Sequence, residues 1–115
     1  LYKFFNKNYE FDVCLMATSN YYKVKKYDNL LNLSYQECTT SSGYILNKKT
    51  ANKVLKILKF GLENILSSNN PGVYCCDRIW SKIQKDDKFY TFRKKIGFQR
   101  PNYSNITNVA NCHFD

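Results

Sequence analysis

The sequence predicts an α/β fold built around a mixed sheet, and three segments carry that expectation. Phe11-Asp12-Val13-Cys14-Leu15-Met16-Ala17-Thr18 is a nearly continuous apolar run, which suits a strand buried on both faces. Ala51, Val54, Leu55, Leu58, Leu62, Ile65 and Leu66 recur at i, i+3, i+4 and i+7, the spacing of an amphipathic helix. Phe89-Tyr90-Thr91-Phe92 then reads as a strand. Strand, helix and strand in that order indicate an α/β architecture.

In chain order, Leu1 to Lys7 is too short and too polar for a signal peptide. After the Phe11 run, residues Tyr21 to Asn29 are basic and tyrosine-rich and read as a loop. Leu30 to Tyr35 reads as a second, partly exposed strand, and Gly43 to Leu46 as a short strand running into Asn47, a good N-cap residue. The long helix is expected from Lys48 to Ser67, roughly 30 Å at about 1.5 Å per residue. Its Lys49, Lys53 and Lys56 fall on the polar side, and Gly61 is a weak spot within it. Ser67 to Gly72 has turn composition. A shorter helix follows with Cys76, Ile79, Trp80 and Ile83 on one face, then a charged turn from Lys85 to Lys88. From Gly97 onward the chain reads as a loop, with Arg100-Pro101 restricting the backbone.

At 115 residues the chain is one domain or a piece of one, and its start at Leu1 rather than Met leads to the expectation of a fragment. A hydrophobic content of 43% supports a packed core, and the absence of any 18-residue apolar run excludes a membrane-spanning helix. The net charge of +9 favours phosphate-bearing partners. It is mostly Lys, however, and abundant Asn, Lys, Tyr and Ile are what an A+T-rich coding sequence produces, so the charge says little about a specific anion. Five cysteines with one vicinal pair and no Cys-x-x-Cys argue against a disulfide framework or a zinc site. A reducing compartment, cytoplasmic or viral, is the expectation. Sequons at Asn32, Asn102 and Asn105 occur at the chance level of an Asn-rich chain.

The segment Ser42-Gly43-Tyr44-Ile45-Leu46-Asn47-Lys48-Lys49-Thr50-Ala51-Asn52-Lys53-Val54-Leu55 resembles a signature of glycosyltransferase family 25, which includes lipooligosaccharide biosynthesis enzymes and collagen galactosyltransferases. Asp77, with Trp80 following, is similar to the family's Asp at the start of a short helix. Ile96 to Ile106 looks like its closing Gln-x-x-x-x-Ser-Asp-Ile segment, with Asn105 where the family often has Asp. The Phe11 strand looks like the one that follows the family's metal motif, and the resemblance is closest to homologues carried by large DNA viruses.

This resemblance implies the C-terminal part of a glycosyltransferase A-type, Rossmann-like domain. It implies hexose transfer from a nucleotide sugar, UDP-linked, to a hydroxyl of a glycan or protein acceptor. Mn²⁺ or another divalent cation is implied for the complete domain, held by an acidic cluster expected upstream of Phe11 and not by the residues of this chain. Asp86-Asp87, set between two Lys, is no substitute. Asp77 is the implied catalytic residue, a general base toward the acceptor hydroxyl; its alternative role is an acidic residue stabilised at a helix N-terminus. Gly43, Tyr44, Asn47, Trp80, Gln99 and Arg100 are the implied substrate-binding residues. Trp80 also fits a core position, Gly43-Tyr44 a tight strand-to-helix junction, and Gln99-Arg100 an ordinary loop. His113 with Asp115 reads as a solvated tail rather than a metal ligand pair. Two competing functions stand beside the transferase: a basic, aromatic-rich module for single-stranded nucleic acid, and a catalytically inactive structural relative. Ten Tyr and eight Phe among fifteen Lys supply what the first needs, although no RNP-like or helix-turn-helix signature is present.

Overall fold

The computed structural model describes residues 1–18, 24–34, 42–84, 86–97, 102–104 and 109–111. In chain order these form α1 (Tyr2–Asn6), β1 (Val13–Leu15), β2 (Val24–Lys26), β3 (Leu31–Ser34) and β4 (Tyr44–Leu46). A 3-10 turn (Lys48–Thr50) then leads into α2 (Ala51–Ser68), followed by α3 (Pro71–Tyr74), α4 (Cys76–Ile79) and α5 (Ser81–Gln84). The last strands are β5 (Phe89–Phe92), β6 (Asn102–Ser104) and β7 (Val109–Asn111). Among the described residues no helix is long and apolar enough to cross a membrane.

Five strands make one mixed sheet in the order β2-β3-β5-β1-β4. β1 runs parallel to β5, while β1–β4, β2–β3 and β3–β5 are antiparallel. The expected double burial of the Phe11 run follows from this order, because β1 lies inside the sheet and its Val13, Cys14 and Leu15 are fully buried. Side chains alternate between the two faces of a strand. Val13, Leu15 and Phe89 therefore meet Val54 of α2 and Trp80 on one face. Cys14, Leu31, Tyr90 and Phe92 face the other way and are covered by Phe4 of α1. Phe4 anchors that second layer with rings from Tyr9, Phe11 and Phe92 at 5.3, 5.1 and 5.5 Å. Burying a phenyl ring of this kind contributes about 1.5–3 kcal/mol.

The amino end of β1 is tied to both of its surroundings by Asp12. Its carboxylate accepts from the Thr50 hydroxyl at 2.6 Å and from the Lys88 amide at 2.8 Å, and its carbonyl accepts from the Asn47 amide at 2.9 Å. One residue thus links β1, the β4–α2 junction and the start of β5.

Several expectations need correction. Residues 24–26, read as loop, pair with β3 because Val24 faces the sheet's helical side opposite Ser34. The tail read as loop contains the antiparallel pair β6–β7. Pro71 and Gly72, read as turn, open α3, where Pro suits the first helical position. The single shorter helix is three short ones, interrupted by Cys75 in extended conformation and by Trp80. Cys76 is exposed rather than on a buried stripe, while Ile79 and Trp80 are buried. In α2 the buried residues are Val54 and Gly61, and Leu55, Leu62 and Leu66 point outward. Gly61 decides that orientation. A Cβ there would lie 2.6 Å from the Tyr74 carbonyl oxygen and 3.2 Å from Ile79, so α3 and α4 press on the bare backbone.

Candidate functional site

The carboxyl ends of parallel strands are where open α/β sheets bind ligands, because loops diverge there and leave a crevice. Here β1 and β5 are the described parallel pair, and the Gly43–Tyr44 segment reaches the carboxyl end of β1. The Met16 amide donates to the Gly43 carbonyl at 2.9 Å. A Cβ on Gly43 would lie 3.1 Å from the Met16 methyl, so the small residue permits this approach. Gly97, five residues beyond the end of β5, also reaches this end, its Cβ position 3.6 Å from Ala17. Thr18 is buried beside them. Tyr44 is 41% exposed, and the edge of its ring meets Trp80 at 5.3 Å with the planes at 86°.

Trp80 is only 2% exposed and also packs on Phe89. It offers no open ring face to a sugar; its position is that of a core residue supporting Tyr44 from beneath. Its indole N–H has no hydrogen-bond partner among the described residues. Three residues earlier, Asp77 lies in the first turn of α4 and is half-buried. The Cys75 thiol donates to its Oδ1 at 3.1 Å. Burial and the neighbouring Asp77 carboxylate push that thiol up to about 11, so it stays protonated and can keep donating. Trp80 thus supports the exposed Tyr44 ring, and Asp77 lies three residues before it in the chain.

Asn47 is occupied by the fold. Its Oδ1 accepts from the Lys49 amide at 2.9 Å, capping the 3-10 turn before α2, and its Nδ2 donates to the Phe11 carbonyl at 2.8 Å. Gln99, Arg100, Asn105, His113 and Asp115 lie outside the described residues. In the Lys85–Lys88 turn, Asp86 is exposed, whereas Asp87 is largely enclosed and paired with Lys53 at 2.6 Å.

A second polar cluster escaped the sequence reading. The Tyr9 hydroxyl donates to Asp28 Oδ2, and Asp28 Oδ1 accepts from the Leu30 and Leu31 amides at 2.7 and 2.8 Å. Lys7 stands 3.6 Å from the same carboxylate. Burial alone would raise the Asp28 carboxyl, but these donors outweigh it and bring the group down to about 2. Burial and then the hydrogen bond to Asp28 push the Tyr9 hydroxyl well above its ordinary range. Burial and the adjacent Tyr27 push Tyr90 up to about 12. The local signal was an Asp followed two and three residues later by strand amides, an Asx turn. The donors to this carboxylate come from the β2–β3 connection and from the segment joining α1 to β1, so the cluster is structural.

Among the described residues no group of three His, Cys, Asp or Glu side chains could hold a metal ion. The carboxylates of Asp12, Asp28, Asp77 and Asp87 are dispersed and each already accepts from a protein donor. No family model, no curated protein and no solved structure matches the chain.

Proposed function

We propose that the chain forms part of a glycosyltransferase domain that moves a hexose from a UDP-linked sugar to a hydroxyl of a glycan or protein. The observation that carries this reading is the junction at the carboxyl end of β1. There the Gly43–Tyr44 segment of the family-like motif lies against Met16, with Gly97 beside Ala17. The exposed Tyr44 ring offers a stacking surface to a sugar or a uracil. Asp77 is the general base: the acceptor oxygen bonds to the anomeric carbon, its proton passes to the carboxylate, and the sugar–diphosphate bond breaks with the electron pair leaving on the diphosphate. The neutral Cys75 thiol orients that carboxylate. The divalent cation implied for such domains does not fit the carboxylates described here, which are scattered and engaged, so no step of this mechanism runs through it.

Calorimetric titration with UDP-sugars, alongside a short single-stranded oligonucleotide, tests the donor site. UDP-sugar binding is expected, weakened about tenfold by Tyr44→Ala through loss of the stacking surface. Salt-sensitive oligonucleotide binding with no response to UDP-sugars would replace the proposal with a nucleic-acid-binding module. Silence from both in a folded sample would remove the donor site from this chain. In a transfer assay, Asp77→Asn should abolish turnover and leave thermal unfolding unchanged; near-normal turnover would sink the general-base role.

A further inference from the structure

Cys75 and Cys76 are adjacent thiols at the bend between α3 and α4, and the general-base chemistry at Asp77 uses only the first, as a donor. Cys75 is extended, with φ −62° and ψ 158°, and Cys76 opens the helix. Successive side chains of extended backbone point to opposite sides. Cys75 is accordingly half-buried with its thiol 3.1 Å from Asp77 Oδ1, whereas Cys76 is exposed. The backbone is pinned at the same point. The Cys75 amide donates to the Pro71 carbonyl at 3.0 Å, and the Cys75 carbonyl accepts from the Arg78 and Ile79 amides at 3.0 and 2.8 Å.

Adjacent thiols can be joined in a ring that includes their own peptide bond. Their α-carbons are about 3.8 Å apart across a trans peptide, closer than the roughly 4.4–6.8 Å usual for a disulfide, so the ring is strained. Strain makes a disulfide easy to reduce, which suits a regulatory bridge and not a structural one. It also means that the bridge does not fit the present backbone. To close it, the Cys75 sulfur must leave Asp77 and the 75–76 peptide must turn, which moves the carbonyl that starts α4.

From this geometry we infer that the Cys75–Cys76 pair is a thiol switch, closed by exchange with a low-molecular-mass disulfide of the glutathione type, and that closure takes the S–H donor from Asp77 and resets the start of α4. Its effect on transfer rests on the general-base reading of Asp77; the bridge itself does not. Two exchanges complete the chemistry. Exposed Cys76, as thiolate, attacks one sulfur of the disulfide and releases the first glutathione thiolate. Cys75 then attacks the Cys76 sulfur, its proton passing to the Asp77 carboxylate it already faces, and the second glutathione leaves as thiolate. Two protein thiols are oxidised to one disulfide while one glutathione disulfide is reduced to two thiols. Burial and the Asp77 carboxylate hold the Cys75 thiol up to about 11, so the first attack belongs to Cys76. The second belongs to Cys75, because its attack is intramolecular.

The test incubates the folded chain with oxidised glutathione, quenches it with iodoacetamide, and reads peptides by mass spectrometry and the single tryptophan, Trp80, by fluorescence. The peptide carrying both cysteines is expected lighter by the two thiol hydrogens, with no alkyl or glutathione group. Trp80 ends α4, so its emission should change with the same time course, and dithiothreitol should reverse both. Cys75→Ser is expected to stop at a glutathione adduct on Cys76 with unchanged emission, and Cys76→Ser to give neither bridge nor adduct. A lasting adduct on Cys76 of the parent, a dimer bridged through Cys76, or no reaction would overturn the switch, as would a bridge that leaves Trp80 emission unchanged. In a transfer assay, turnover should be lost on bridging and regained with dithiothreitol. A reduced chain without turnover would sink the transferase reading, with the bridge and the emission still deciding the switch; full turnover by the bridged chain would overturn its control of Asp77.

Discussion

Asp28 ties the start of β3 to the α1–β1 connection with one carboxylate, and its titration makes that role measurable. Its carboxyl sits at about 2 against an ordinary value of 3.8, so between these limits the unfolded chain binds the extra proton. The stabilisation is therefore complete above about pH 4 and is lost as the pH falls through 2. Because the group is partly open to solvent, its worth is about 1 kcal/mol rather than the larger figure the shift alone would give. Urea unfolding of Asp28→Asn should show a lower plateau at neutral pH and a flatter acid limb between pH 4 and 2. An acid limb identical to the parent's would mean the Tyr9–Asp28 contact does not form. Tyr9 lies 19 residues from Asp28 in sequence, which is why no local pattern revealed the pair, although the Asx turn was readable in principle. Asn47 is the opposite case, since capping is local and its type and position announced it. Asn47→Ala should cost about 1–2 kcal/mol, from the lost cap and the lost tie to Phe11. A thermal midpoint unchanged in Asn47→Ala would show that the 3-10 turn stands without its cap.

At the scale of the element, α2 marks where periodicity stops being informative. Its apolar residues cover about half the helix circumference, so the i, i+3, i+4, i+7 pattern establishes a helix without choosing the half that faces the sheet. Taken by that pattern, Leu55, Leu62 and Leu66 belong inside; in the structure they are outside and Gly61 is buried. The choice depends on α3 and α4, whose approach to Gly61 is a tertiary contact with no trace in the helix's own spacing. The other helical boundary was legible, because Asn69 takes the left-handed conformation of a C-cap and its amide reaches the Ile65 carbonyl at 2.8 Å. Gly61→Ala weighs the two effects directly. Alanine gains up to about 1 kcal/mol in helix propensity. Against that, a methyl 2.6 Å from a main-chain oxygen forces α3 away from α2, and overpacking of this kind costs about 1–3 kcal/mol. The clash wins, and the thermal midpoint of Gly61→Ala should fall by several degrees. A rise would show that α3 does not press on this turn.

Across the whole molecule, β1, β3, β4 and β5 were legible as strands, β2, β6 and β7 were not, and the order of the sheet was not. The Phe11 run announced a doubly buried strand, yet β1 sits between β5 and β4, partners some 75 and 30 residues further on, and pairing at such range follows from how both faces are covered. The cover on the second face is Phe4, from a segment of only five helical residues that carries no pattern of its own. Gly43 and Tyr44 stand out in the sequence as a strand entering a helix, whereas the packing of Trp80 on Tyr44 is a tertiary contact with no local signal. Cys14 tests the assembled order. It is fully buried in the middle of β1, and burial alone pushes its thiol up to about 12. The thiolate is the reactive species, so in the folded chain Cys14 should resist an alkylating reagent while exposed Cys76 is modified quickly. Cys75, half-buried and held up to about 11, should fall between them. Because reaching Cys14 requires both layers to separate, its labelling under rising urea should follow the loss of circular dichroism with the same midpoint. Labelling of Cys14 in native buffer at the rate of Cys76, read by peptide mass spectrometry, would mean that β1 is not enclosed and that the five-strand order is wrong. Labelling at a lower urea midpoint than the circular dichroism would instead locate a weak layer, and α1 with its single buried Phe4 is the one expected to open first.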